Sequence, residues 1–146
     1  MEPASDVLVV GADASGSSHM GRGRTRRQKE RSLRPLLGRF EAKLLLAIAE
    51  PSVEAWLIAD AGAFAGGMEE GLGLAFSRPR EWPVPRGERE AKEALGRLIR
   101  DGTGATLPRR GFEYASAIVS RMDLERSPNP SLAAWARSFL QFVERA

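Results

Sequence analysis

The chain contains no cysteine. Disulfides, thiolate catalysis and cysteine-ligated zinc are therefore excluded. His19 is the only histidine, so a His-pair metal site is excluded as well. No apolar run approaches the ~20 residues that a membrane-spanning helix requires. The opening MEPASDVLVVGA has neither the basic start nor the long apolar core of a secretory signal. Together these absences predict a cytoplasmic protein that meets no membrane.

What is present suits one globular domain with a modest core: 146 residues, 42% hydrophobic and 28% charged. The net charge of +3 is unevenly spread. Residues 22–39 hold eight basic residues against one acid, Glu30, a local charge of +7. The remainder holds fourteen bases against eighteen acids, a charge of −4. A basic stretch of this kind, with Arg22, Arg24, Arg26, Arg27, Lys29 and Arg31 at its centre, can meet the phosphates of nucleic acid. The alternative is a solvated helix face.

Periodicity predicts the organisation. DVLVVG, residues 6–11, is a β-branched apolar run that reads as a buried strand. A Gly- and Ser-rich loop follows. A helix starts near Thr25 or Ser32, with Leu33, Leu36, Leu37 and Phe40 on one face, and Pro35 predicts a late start or a kink there. KLLLAIA, residues 43–49, is a second buried strand, so strand, helix and strand form a βαβ unit with a parallel pair. Glu50-Pro51 then opens a helix with Pro at its first position, and Gly66-Gly67 end it. Leu72–Phe76 is a candidate third strand, short and interrupted by glycine. Helices follow over Glu88–Arg100 and Phe112–Met122, and a last one starts at the Asn129-Pro130 cap. The expected fold is α/β over residues 1–146, a βαβα core in 6–67 and a helical part in 68–146. Its sheet is small and mostly parallel, flanked by helices, and lacks a first strand.

Three stretches carry a family resemblance: VLVVGADASG, AIAEPSVEAWLIAD and MDLERSPNPSLAAWARSFLQFV. They resemble a bacterial family of TOPRIM-like proteins of uncharacterised function, related to the nuclease domain of OLD-family proteins. The first is similar to the strand and acidic turn of the TOPRIM Asp motif. The second is similar to the family's apolar strand running into a Glu-Ala-Trp-Leu helix, and the third to its Asn-Pro-Ser helix start. The resemblance implies a TOPRIM-type fold and divalent-metal-dependent cutting or joining of phosphodiester bonds, magnesium being the usual ion. The chain departs from that pattern in two places. No strand with a catalytic Glu precedes Asp6, and Gly11 and Ser15 stand where a second Asp would pair with Asp13.

The residues alone direct attention to the same place. Ligands of parallel sheets sit beyond the carboxyl ends of the strands. Asp13 follows the first strand, Glu50 ends the second, and Glu54 lies one turn further on. Asp13 and Glu54 are the candidate catalytic residues, and Asp13, Glu50, Glu54 and Asp60 the candidate magnesium ligands. Magnesium commonly takes one or two carboxylates together with water and substrate phosphate. Glu50 and Glu54 could instead serve a helix N-terminus. Asp60, six residues past Glu54 and about 240° around a helix, does not share its face. The Gly/Ser loop lacks the Gly-Lys-Ser/Thr ending of a P-loop. Two functional classes follow: a metal-dependent nuclease or phosphodiesterase acting on nucleic acid, expected to be DNA, or a non-catalytic module. The latter would use its open sheet edge to form a homodimer or join a partner ATPase.

Overall fold

The computed structural model describes residues 7–14, 25–37, 43–105 and 112–145. The βαβ unit is present. Strand β1 (Val7–Asp13) pairs in parallel with β2 (Lys43–Ala49), in register from Val7 opposite Lys43 to Asp13 opposite Ala49. Helix α1 (Arg26–Leu37) lies between them in the chain. These are the only strands among the described residues. Both faces of β2 are used, as its unbroken apolar sequence requires. Leu46 and Ile48 are buried with Ala14 and with Leu33 of α1, and Val10 and Ala12 pack against them. One residue over in the two-residue repeat, Leu45 faces helix α6 (Pro130–Glu144) and shares a small pocket with Phe142.

The larger core lies beside the sheet. Helices α2 (Val53–Leu57), α3 (Ala61–Gly66), α4 (Glu88–Thr103) and α5 (Phe112–Val119) surround Ile58, Phe64, Met68 and Ile118, each at most 1% exposed. Phe64, Phe76 and Trp82 meet edge to face in the same core, with ring centroids 5.4–6.3 Å apart. The indole N–H of Trp82 donates to the Ile58 carbonyl at 2.6 Å, which fixes the loop before α4.

Several sequence expectations shift here. Pro51 does not open a helix: the Glu50-Pro51 peptide is cis, Ser52 is the N-cap, and α2 starts at Val53. The expected single helix is two, α2 and α3; α3 ends at Gly66 with Gly67 as its C-cap, as expected, but a π-helical turn, Gly67–Gly71, follows it directly. Gly67 is needed there for contact. A Cβ at Gly67 would lie 2.8 Å from Ile118 Cγ1 and 3.0 Å from its Cα. Leu72–Phe76 is not a strand. Leu72 and Leu74 pack onto the core, and the Leu74 N–H bonds back to the Met68 carbonyl at 2.9 Å. Helix α1 runs through Pro35 without interruption. Helix α4 buries the predicted stripe, Ala91, Ala94, Leu95, Leu98 and Ile99, and runs one turn past Arg100. It stops at Gly104, whose φ of 74° is the left-handed conformation that glycine adopts without penalty. Among the described residues, no helix is long and apolar enough to cross a membrane.

Candidate functional site

The carboxyl ends of β1 and β2 meet a turn, Glu50–Ser52, on which three helices converge. Asp13 closes β1, and its Oδ1 accepts the backbone N–H of Val53 at 2.8 Å. The Ser52 side chain makes no capping bond of its own, so Asp13 serves the start of α2 in its place. Glu50 does the converse. Its Oε2 accepts the backbone N–H of Arg26 at 2.7 Å, at the start of α1, a helix with no acid in its first turn. The rest of Glu50 is held by the cap of α6. Its N–H donates to Ser131 Oγ at 3.0 Å, and its carbonyl accepts from Asn129 Nδ2 at 2.9 Å. Ser131 Oγ also accepts the indole N–H of Trp56 at 2.7 Å and donates to Asn129 Oδ1 at 2.7 Å.

Asp13 stands in an acidic corner. Burial pushes its carboxyl above the ordinary aspartate value, the Val53 N–H opposes this, and the nearby charges of Glu54 and Glu88 push it further up. Lys92 pulls it back. Lys92 is exposed and bonds Glu88 at 2.9 Å, one turn apart on α4. The Glu88 hydrogen bond, then the charges of Glu88, Glu54 and Asp13, raise its ammonium pKa. Tyr114 of α5 is raised by burial and by Glu54. Two side-chain oxygens flanking Val53, Ser52 Oγ and Glu54 Oε2, are buried without a hydrogen-bond partner. Such oxygens are uncommon in folded chains and suit a hard cation or a proton donor.

The structure brings Asp13 and Glu54 together and leaves the other candidates apart. Glu50 is engaged with α1 and α6. Asp60 is the N-cap of α3, accepting the Ala63 N–H at 3.0 Å. Among the described residues, no three His, Cys, Asp or Glu side chains are grouped so that they could hold one metal ion. Arg22 and Arg24 of the basic segment, and His19 before it, lie outside the described residues. Arg26 pairs with Glu30 at 3.2 Å. Arg27 and Arg31 are exposed, and Lys29 is fully buried, so it is not on the basic surface. Glu88, Lys92 and Tyr114 escaped the sequence reading. Glu88 and Lys92 are an ordinary i,i+4 helix pair in sequence, and only the docking of α4 brings them to Asp13.

A cleft of about 730 Å³ opens on the other side of Glu50, between the start of α1, the Pro51 turn, the Trp82–Arg86 loop and the Pro128–Ser131 cap. A scan against family models found no match to this chain, and searches of curated proteins and of solved structures found none.

Proposed function

We propose that the chain is a TOPRIM-like, nucleic-acid-associated domain whose acidic corner acts on a phosphodiester with the help of magnesium. The observation that carries this reading is the position of Asp13. Its carboxylate is fixed at the carboxyl end of a parallel strand on the N–H of Val53, whose two neighbours carry buried oxygens, Ser52 Oγ and Glu54 Oε2, with no hydrogen-bond partner among the described residues. An all-oxygen donor set of this kind suits magnesium. With two carboxylates in place, Asp13 and Glu54, the corner fits an ion that brings water and substrate phosphate with it. It does not fit a cage built wholly from protein. When bound, magnesium stabilises charge on the phosphoryl oxygens and acidifies a coordinated water.

The chain's own groups supply the rest. Val53 N–H orients Asp13, leaving Oδ2 for the ion. Glu54 would take the proton of the attacking water through its other carboxylate oxygen, as the new P–O bond forms and the ester P–O bond breaks, the leaving oxygen taking a proton from solvent. Lys92 is held charged beside them and offers an ammonium to a phosphate oxygen. The exposed Arg27 and Arg31 would hold the backbone of the strand.

Magnesium-dependent nicking of plasmid DNA tests the reading. Glu54→Gln is expected to reduce it at least about 100-fold, the usual cost of losing a proton-transferring group, and Asp13→Asn to reduce it and weaken magnesium binding by removing a charged ligand, with the fold retained by circular dichroism. Absence of both cleavage and magnesium binding at millimolar concentration overturns it.

A second reading, a non-catalytic assembly module, has its own support. Phe139, Leu140 and Val143 of α6 are 39%, 39% and 51% exposed, and Phe139 stacks on Trp135 with ring centroids 5.5 Å apart. A homodimer or an ATPase partner would cover that face. A monomer by sedimentation at high concentration, with no change on Phe139→Ser, counts against the homodimer.

A further inference from the structure

The cleft beside Glu50 lies outside the acidic corner, and its chemistry is different. Its volume of about 730 Å³ falls within the ~300–1,000 Å³ range of small-molecule sites. Three guanidinium-bearing residues line it, Arg26, Arg27 and Arg86, against one carboxylate, Glu50. That carboxylate already accepts the Arg26 N–H, and Arg26 is paired with Glu30. Arg27 and Arg86 are exposed, and among the described residues no carboxylate pairs with either guanidinium. Glu90, which does not line the cleft, accepts the backbone N–H of Arg86 at 3.3 Å, and the lining residues themselves carry three positive charges against one negative.

Much of its wall is built from residues with little side-chain freedom. Prolines 51, 83, 85, 128 and 130 line it together with Trp82. Proline rings lose no rotamer freedom on binding, and Trp82 is held by its bond to the Ile58 carbonyl and by its edge contacts with Phe64 and Phe76. A pre-organised, ring-rich apolar lining suits a compact ring ligand better than a flexible chain. Two arginines at the same cleft with no ion pair among the described residues suit a phosphate, which Arg can grip through two parallel N–H bonds.

We propose that this cleft binds a nucleoside phosphate, with the base against the proline and Trp82 wall and the phosphate on Arg27 and Arg86. The ligand could be a free nucleotide or the terminal nucleotide of a single strand, since both present the same groups. The site shares Arg27 with the strand-holding face of that reading but none of the acidic corner, and binding is measured in EDTA, so failure of magnesium-dependent cleavage leaves it untouched.

The test is calorimetric titration of the full chain with adenosine 5′-monophosphate, adenosine, inorganic phosphate, octyl phosphate and a 5′-phosphorylated trithymidylate. The monophosphate is expected to bind with a dissociation constant below about 1 mM, at least tenfold tighter than adenosine, phosphate or octyl phosphate. Tighter binding of the trinucleotide assigns the site to a strand end; equal or weaker binding assigns it to a free nucleotide. The Arg27→Ala/Arg86→Ala double variant should weaken the monophosphate at least tenfold and leave adenosine unchanged. Val84→Glu places a carboxylate at a lining residue that is 82% exposed and should weaken the monophosphate similarly; all three positions are exposed, so the fold is not at risk. No binding of the monophosphate at millimolar concentration, binding unchanged in both variants, or octyl phosphate binding as tightly overturns the proposal.

Discussion

Asp13 caps the helix that follows Glu50, and Glu50 caps the helix that follows Asp13. The first carboxylate accepts the Val53 N–H at 2.8 Å and the second the Arg26 N–H at 2.7 Å. Each strand of the parallel pair thus ends in an acid that satisfies an orphan donor of the other strand's helix. The exchange ties β1, α1, β2 and α2 together at the carboxyl edge, where an aqueous ligand would meet them. It also separates the two acids in role. Glu50 is tied further into the cap of α6 through its backbone, whereas Asp13 remains beside Glu54, whose Oε2 has no partner.

Glu50 is accordingly expected to act on stability and not on metal. Glu50→Ala leaves the Arg26 N–H without its acceptor and should cost about 1–2 kcal/mol in chemical denaturation, the scale of a lost N-cap. Glu50→Gln keeps an acceptor oxygen and should recover part of that loss. Neither change should alter magnesium affinity measured by titration; a large fall in affinity with Glu50→Gln would return Glu50 to the metal site.

Asp13 should show the opposite sign. Its carboxyl lies above the ordinary aspartate value in the folded chain, chiefly through burial. The folded state therefore prefers the protonated acid, and stability is highest below the unfolded value and falls as pH rises through the raised folded one. Asp13→Asn fixes the neutral state and retains an oxygen for Val53. It is expected to melt higher than the parent at pH 7, with the advantage shrinking towards the acid end of the carboxylate range. A site kept at a cost in stability is what a functional carboxylate predicts. Equal melting temperatures at neutral pH would contradict it.

How much of this was legible in the sequence depends on the range of each interaction. The Asn129-Pro130 helix start, the α4 stripe and the two strands are local patterns, and the structure has them. Glu50-Pro51 was misread as a helix start because Pro at a first position is a common local signal. The partners that decide its conformation, Arg26, Asn129 and Ser131, lie 24 to 81 residues away. Gly66-Gly67 does end α3, but nothing nearby announces the π-helical turn that follows or the approach of Ile118. The acidic corner was half legible: Asp13 and Glu54 flank strand ends, but Glu88, Lys92 and Tyr114 reach it only through the packing of α4 and α5. Lys29 looked like one more base in a basic run, and its burial follows from the helix face on which it falls.

The contact at Gly67 gives a packing prediction. A Cβ there would overlap Ile118 at both its side chain and its backbone, so α5 would have to move. Gly67→Ala should cost about 1–3 kcal/mol, the range for overpacking a close contact. At ~2–4 °C per kcal/mol for a domain of this size, the melting temperature should fall by several degrees. An unchanged melting temperature would mean that α5 is not seated against the π-helical turn as described.

The basic segment separates binding from folding within three neighbouring positions. Arg27 and Arg31 are exposed on α1, and Lys29 between them is fully buried. If nucleic acid is held here through phosphate contacts, Arg27→Ala and Arg31→Ala should each weaken single-stranded DNA binding across all sequences. Each should also reduce the magnitude of the salt slope by about one. Neither should move the melting temperature by more than a degree or so, since exposed substitutions cost little. Lys29→Ala removes a buried stem and strands whatever its ammonium bonds, so it should cost about 2–4 kcal/mol. Once folded at low temperature, it should leave the salt slope unchanged. Fluorescence anisotropy at several salt concentrations, read beside thermal melts, decides the matter. A salt slope that falls with Lys29→Ala and not with the two arginines would overturn both the burial of Lys29 and the assignment of the exposed face to phosphate.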